Sequence, residues 1–373
     1  MTSTRLPFDV VFADESGGNI KTPQSEYLPK GILPVVDQGK ALIGGYVDDP
    51  SRLCGEGRPA IIFGDHTRCI KYVDFPFCMG ADGVKVLRPK IEADLKYLYY
   101  FLRTLKLPDA GYDRHFKYLK RTEVVLPPLP EQRRIVAILD QADALRAKRR
   151  EALTQLDRLA QSIFIDMFGD SRPDTVGNNG VKLSTLIEIN PSITKQERHG
   201  LVGKRVTFLP MASIGDLDKR ILSVETRHYH EVSKGYTPFK RGDLLVAKIT
   251  PCYENGKMAI VEGIPTEWGF GSTEFHVFRS GSSSFELFLF YLFQLAWLKK
   301  AGANSMRGAA GQKRVAAEFF GDLCVIPPDH KKLEIFAKRI AAVGLAKTRS
   351  HDSLTRLEIL FKSIQSRAFR GEL

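Results

Sequence analysis

Residues 126–168 read LPPLPEQRRIVAILDQADALRAKRREALTQLDRLAQSIFIDMF, and their spacing decides the architecture. Apolar side chains fall at Ile135, Ile138, Leu139, Ala142 and Leu145, then at Leu153, Leu156, Leu159, Ile163 and Met167. Steps of three and four residues are the period of one helix face. Pro130 suits the first turn, Glu131 the positive end of the peptide dipoles, and Gly169 the stop. A helix of roughly 38 residues rises about 57 Å. A rod of that length carries one apolar stripe and has no core of its own. A second rod is expected over about residues 329–369, with Leu333, Phe336, Ile340 and Val343, then Leu354, Leu357, Leu360, Ile364 and Phe369 on its stripe. Packing the stripes together buries both, so the two helices are expected to pair antiparallel as a coiled coil.

Outward from the rods, the chain repeats itself. GILPVVDQG at 31–39 lies against TFLPMASIG at 207–215, and GADGVKVLRPK from Gly80 against GSTEFHVFRSG from Gly271. VVLPPLPEQ lies against LCVIPPDHK, and LTQLDRLAQSIFIDMF against LTRLEILFKSIQSRAF. The order of these landmarks is kept while their offset drifts, as two copies of one head-plus-rod unit require. The heads hold short β-branched or aromatic runs at 59–63, 84–87, 243–249, 257–261 and 275–278, bounded by Gly, Pro, Asp or Asn, which are strand signals. The fold class is therefore α+β: two mixed α/β heads joined by two long antiparallel helices, with an internal pseudo-two-fold repeat. The expected divisions are 1–127 for the first head, 128–170 for the first helix, 171–326 for the second head and 327–373 for the second helix.

The 373 residues carry 55 Lys and Arg against 43 Asp and Glu, a formal net charge of +12. A surplus of that size suits a polyanionic partner, nucleic acid first. An apolar fraction of 43% is enough for a sizeable core. The most apolar window, residues 285–297, is about half a membrane span and is interrupted by Glu286 and Gln294, so a buried helix is expected there. The opening MTSTRLPFDVVFADE reaches Asp9 and Asp14 before any long apolar stretch, unlike a secretory signal. Five cysteines, odd in number and without a CxxC pair, read as reduced thiols in a cytoplasmic protein.

Catalytic signatures are missing. No GxxxxGK[ST] occurs, which speaks against a P-loop ATPase. The double prolines follow Leu126 and Ile326, not the Asn or Asp that an amino-methyltransferase turn requires, and Pro108-Asp109 and Pro328-Asp329 lack a nuclease-like Glu-x-Lys partner. Cys54, His66, Cys69 and Cys78 lie close in sequence, but their spacing matches no usual ligand pair, so no metal site is expected. Glycine pairs at 17–18 and 44–45 read as turns. Three classes stay open: a non-catalytic DNA-binding protein, an enzyme acting alone on DNA, and a scaffold with two protein-binding heads.

Residues 126–168 and the ending LFKSIQSRAFRGEL at 360–373 resemble the two conserved helical regions of type I restriction-modification specificity subunits. NPS at Asn190 and GDLLVAKITPCYENGKMAIV from Gly242 are similar to the second target recognition domain of that family. The resemblance covers essentially the whole chain. It implies a DNA sequence-specificity subunit without an active site, each head a target recognition domain reading one half of a bipartite, asymmetric double-stranded DNA sequence. It implies helices that set the unread gap and dock two methyltransferase (modification) subunits, with restriction/translocase subunits completing the nuclease. S-adenosylmethionine, ATP and Mg²⁺ would belong to those partners, and this chain would hold no cofactor. A methylation-only or related phage-defence complex is the alternative. Two departures stand out. The second helix begins PPDHKK where the first begins PPLPEQ, so Asp329 must serve as its cap. The first head also follows the family pattern less clearly before Gly31.

DNA reading combines phosphate contacts from Lys and Arg with base-edge contacts from polar loop residues. In the second head, residues 248–257 offer Lys248, Thr250, Tyr253, Asn255 and Lys257, and residues 304–314 offer Asn304, Ser305, Arg307, Gln312, Lys313 and Arg314. The matching positions of the first head are His66, Thr67, Arg68 and Lys71, then Arg114, His115, Lys117 and Tyr118. Arg146, Lys148, Arg149 and Arg150 on the first rod read as a solvated or partner-facing surface.

Overall fold

The computed structural model describes residues 4–108, 111, 113–215, 220–309 and 311–373, so Asp109 lies outside the described residues. Two compact units form: Met1–Glu151 with Ser350–Leu373, and Ala152–Arg349. Each combines one head with part of both long helices, which run Leu129–Phe168 and His330–Ala368.

The first unit contains β1 (Thr4–Pro7), β2 (Phe12–Asp14), β3 (Lys21–Thr22), β4 (Leu33–Val36), β5 (Gly45–Val47), β6 (Ala60–Gly64), β7 (Ile70–Val73), β8 (Cys78–Gly80), β9 (Val84–Pro89) and β10 (Glu123–Leu126). These form sheets of order β2-β9-β6-β7 and β3-β8-β4-β5, with β1 and β10 paired separately. The second unit contains β11 (Val181–Lys182), β12 (Glu188–Ile189), β13 (Arg205–Leu209), β14 (Glu225–His228), β15 (Thr237–Lys240), β16 (Leu244–Ala247), β17 (Met258–Ile260), β18 (Trp268–Gly271), β19 (Phe275–Arg279) and β20 (Cys324–Val325). Its sheets run β12-β19-β16-β17 and β14-β13-β18-β15, with β11 and β20 paired separately. Gly80 ends β8 and Gly271 ends β18, the positions matched in the sequence repeat.

The repeat extends to packing. Successive side chains of a strand face opposite sides, and the central strands bury both. Ile61 and Phe63 of β6 enter one core while Ala60 and Ile62 enter another. In β16, Leu244 and Val246 face one core and Leu245 and Ala247 the other. One edge strand breaks the symmetry. β3 precedes β4 and runs parallel to β8, whereas β15 follows β14 and runs antiparallel to β18.

Within each unit the two long helices pair antiparallel. In the first, Arg146 stacks over the Phe361 ring at 4.2 Å and Arg150 pairs with Glu358 at 2.7 Å. In the second, Asp157 meets Lys347 and Phe164 meets Phe336, with ring centroids 5.8 Å apart. The buried stripe is Ile135, Leu139, Leu153, Ala160 and Phe164 on one helix and Leu333, Phe336, Ile340, Val343, Phe361 and Ala368 on the other. Leu145, Leu159 and Leu360, assigned to the stripes from spacing alone, are instead exposed. Arg146 holds the inner position by lying on Phe361, and Ala160 and Phe164 take the phase that Leu159 would have filled. Gly169 adopts φ +76° and closes the first helix by donating to the Ile165 carbonyl. Asp329 caps the second, its carboxylate accepting from the Lys331 and Lys332 amides at 2.9 and 3.2 Å.

The apolar window at 285–297 divides between helices Ser283–Leu292 and Ala296–Ser305, and no helix among the described residues is long and apolar enough to cross a membrane. Glu286 is buried in the first of these, accepting from the Ser280 amide at 2.6 Å through one oxygen while the other has no partner among the described residues. Burial pushes its carboxyl above the usual range, against hydrogen bonds that pull it down. Such a group adds stability below the ordinary carboxylate value and loses it as pH rises through the raised one. Glu286→Gln is therefore expected to stabilise the second unit by about 1 kcal/mol at pH 8. Urea unfolding at pH 8 and pH 4 checks this, and a gain that does not shrink toward pH 4 would show that the charge is not its source.

Candidate nucleic-acid interface

Both candidate segments of the second head converge at the end of β16. Residues 248–257 leave that strand, turn, and return as β17. The Tyr253 amide donates to the Ile249 carbonyl at 3.0 Å, and Gly256, at φ +70°, donates to the Tyr253 carbonyl at 2.7 Å. Residues 307 and 314 close a hairpin through reciprocal backbone bonds of 3.0 and 2.9 Å. That hairpin docks on the first loop: the Thr250 amide donates to the Lys313 carbonyl at 3.0 Å and the Val315 amide to the Lys248 carbonyl at 2.9 Å. Arg314 grips Glu274 with three hydrogen bonds, 2.7, 2.9 and 3.2 Å long. Beside them burial lowers the affinity of Lys248 for its proton, with Glu274 opposing and Arg314 reinforcing the shift.

The fate of the candidate side chains follows. Asn255, Asn304, Ser305, Arg307, Gln312 and Lys313 are exposed, and Lys248, Thr250 and Arg314 half-buried. Tyr253 and Lys257 are buried. Tyr253 fills a slot opened by Gly302, where a Cβ would lie 1.9 Å from the phenol oxygen. Burial raises its phenol above the ordinary value. The Lys257 ammonium donates to the Met211 carbonyl at 3.3 Å. These two side chains shape the loop from beneath.

The first head repeats the frame with other residues. Its turn after β6 is held by Gln38: the His66 amide donates to Gln38 Oε1 at 3.3 Å and Thr67 Oγ1 to the Gln38 carbonyl at 2.6 Å. Arg68 sits at φ +60°. The buried Lys71 donates to the Asp37 carbonyl at 2.7 Å and its carboxylate at 3.3 Å. The second segment docks here too, the His115 amide donating to the Asp65 carbonyl at 2.8 Å and the Phe116 amide to Asp65 Oδ1 at 2.8 Å. His115 is buried, and its Nδ1 also lies 3.0 Å from the Asp65 carbonyl. Lys117 pairs with Asp113 at 2.7 Å and Tyr118 donates to the same carboxylate at 3.0 Å. Lys117 first, then the Arg114 amide and Tyr118, hold the Asp113 carboxyl down at about 2.

The backbone bonds place Asp65 opposite Lys248 and Gly83 opposite Glu274 in the two frames. The Asp65 amide donates to the Gly83 carbonyl at 2.6 Å, and the Lys248 amide to the Glu274 carbonyl at 2.9 Å. Arg114 and Arg314 each precede the residue whose amide bonds that frame. With glycine at 83, the first head lacks the carboxylate that Arg314 grips, and Arg114 is exposed. Asp65, Gln38, Glu274 and Gly302 were not foreseen from sequence, since single residues of these types occur throughout the heads. Of the helix cations, Arg146 pairs with Asp143 at 2.7 Å while stacking on Phe361. No group of three His, Cys, Asp or Glu that could hold a metal ion occurs among the described residues.

Residues 21–155 match the family model for the type I restriction modification DNA specificity domain. The type I restriction enzyme EcoAI specificity subunit of Escherichia coli is 34% identical over 178 residues, 47% of this chain and 30% of its own length. The EcoEI specificity subunit of the same organism is 31% identical over 218 residues, 57% of this chain and 36% of its own. The chain thus spans about a third of the length of these curated relatives. Among solved structures, the type I restriction-modification S subunit from M. genitalium has a TM-score of 0.52 at 14% identity, with 99% of this chain and 96% of that one covered. A chain from a structural study of complex assembly and conformational transition of the type I R-M system has a TM-score of 0.52 at 16% identity, covering 97% and 98%. Residues 21–155 thus match the type I restriction modification DNA specificity domain, and the chain is similar in sequence to type I specificity subunits and in fold to a solved S subunit.

Proposed function

We propose that this chain is the non-catalytic DNA sequence-specificity subunit of a type I restriction-modification complex. Each head reads one half of a bipartite, asymmetric target in double-stranded DNA. The long helices fix the gap between the half-sites and dock two modification subunits, which carry S-adenosylmethionine and methylate adenine. Restriction subunits with ATP-driven translocation join the same assembly.

The observation that carries this reading is one loop frame built twice with different side chains. Asp65 stands where the second head has Lys248, and Gly83 where it has Glu274. A shared frame supplies equivalent placement on a duplex, and unlike side chains supply unlike sequence preference. The proposed surface residues are His66, Thr67, Arg68, Arg114, Lys117 and Tyr118 in the first head, and Lys248, Thr250, Asn255, Asn304, Ser305, Arg307, Gln312, Lys313 and Arg314 in the second. Lys71, His115, Tyr253 and Lys257 act from the interior by holding the loops.

The test compares adenine methylation across the host genome with and without this gene. Loss of one split motif is expected, and an unchanged methylome would sink the reading. Lengthening the first long helix by a few residues should change the gap and keep both half-sites.

A further inference from the structure

The docked segments of the two heads share one further support, placed two residues beyond Gly83 and Glu274. Strand register makes Lys85 and His276 equivalent: Lys85 of β9 stands opposite Phe63 on β6, and His276 of β19 opposite Val246 on β16. Both side chains reach the segment that docks on the neighbouring turn.

In the second head the reach is a chain of hydrogen bonds. The His276 ring is 4% exposed, and its Nε2 lies 2.9 Å from the Val315 carbonyl. A carbonyl only accepts, so Nε2 carries the proton and Nδ1 is left as an acceptor. Asn190 supplies the donor. Its Oδ1 accepts from the Val277 amide at 3.0 Å, which turns its Nδ2 toward the ring, 3.0 Å from Nδ1. Burial holds the ring below the usual histidine value, against the bond to the Val315 carbonyl. Val315 is the residue whose amide docks the hairpin on the Lys248 carbonyl, so it is held from both sides. In the first head Lys85 works through a ring. Its ammonium lies 4.9 Å from the centroid of Phe116 and pairs with Asp14 at 3.0 Å. Phe116 is buried and follows His115 in the docked segment. A cation over an aromatic face is attracted by the ring quadrupole.

We propose that Lys85 and His276 are positioning residues for DNA reading, each holding the docked segment of its own head in the conformation that meets base edges. The inference rests on the DNA-specificity reading and adds to it two residues that act without touching DNA. A released segment must be ordered again in the specific complex, whereas binding to an unrelated sequence has no use for that order. Loss of a brace therefore costs discrimination at one half-site.

The test uses the full chain, co-purified with its modification subunits, and duplexes that carry the split motif either intact or with one half altered. The affinity lost on altering a half is the penalty for that half. His276→Leu should shrink one penalty roughly tenfold, because it leaves the buried Val315 carbonyl unpaired. Lys85→Met should shrink the other, and each variant should leave the opposite penalty unchanged. His276→Gln can still donate to the Val315 carbonyl and Lys85→Arg keeps a cation over Phe116, so both should restore most of the lost discrimination. Salt slopes should stay at the wild-type value. A variant that shrinks both penalties alike, or neither, overturns the brace and leaves the DNA reading intact. The brace also falls if Lys85→Met flattens the slope by about 0.9 with both penalties unchanged, the sign of a phosphate contact. Lys85 is half-buried, so its variants decide the matter if His276→Leu does not fold. A wild-type complex that shows no penalty for either half overturns the DNA reading and the brace with it.

Discussion

Asp243→Ala is expected to destabilise the second unit by about 3–5 kcal/mol. Asp243 is 2% exposed, and its carboxylate accepts two bonds from Arg279, at 2.8 and 2.7 Å, and one from the Lys240 amide at 2.6 Å. Burial opposes the positive charge on Arg279, and the Asp243 carboxylate more than restores it. Alanine leaves that guanidinium in place with its main counter-charge gone. It also removes the acceptor of the Lys240 amide, at the junction of β15 and β16. The arrangement differs from an exposed pair such as Lys182–Asp322, whose attraction water and salt largely screen. Urea denaturation gives the value directly. Combining Asp243→Ala with Arg279→Met should recover much of the loss, because removing both charges leaves no unpaired ion. A loss below about 1 kcal/mol for the single variant would show that water reaches Arg279 readily.

The second large effect concerns DNA. Replacing Arg307 and Lys313 together by glutamine is expected to weaken binding roughly 60-fold at 0.1 M salt and to flatten the salt slope by about 1.8, if each meets one phosphate. Both are exposed on the docked hairpin. Arg314 is left out of this pair for a structural reason. Its bonds to Glu274 hold the hairpin on the sheet, so its loss would mix positioning with contact. Glu274→Gln separates the two effects. It should weaken discrimination between motif and non-motif duplexes while the salt slope changes little. Titration of labelled duplexes over a range of salt checks both variants. An Arg307 and Lys313 double variant with wild-type affinity and slope would take the hairpin out of the interface.

The long helices were legible because a period of 3.6 residues sustained over some forty positions arises from little besides a long amphipathic helix. The doubled head was legible because Gly80 and Gly271 end corresponding strands in both copies, whereas the matched prolines do not correspond: Pro34 lies inside β4 and Pro210 just after β13. The inner phase of the helix pair was not. Leu145 and Arg146 differ by one position, and only the Phe361 ring decides which of them turns inward. In the candidate interface, sequence located the loop segments but not their division into exposed and supporting side chains. Tyr253 and Lys257 have the same composition signal as Asn255. Their burial depends on Gly302 and Met211, which are distant in the chain.

The docked loop segments have a consequence for the order in which the heads assemble. Asp65 and His115 are 50 residues apart, and Glu274 and Arg314 are 40 apart. Closing such a span costs chain entropy that is recovered only after the intervening strands and helices have packed. The surface proposed to read DNA is therefore completed after its own scaffold. The amides of Val315 and His115, bonded to the distant Lys248 and Asp65 carbonyls, should exchange with solvent sooner than those of β16 and β6 beneath them. A partly folded head would thus hold a finished sheet while the loop surface proposed to read DNA is still unformed.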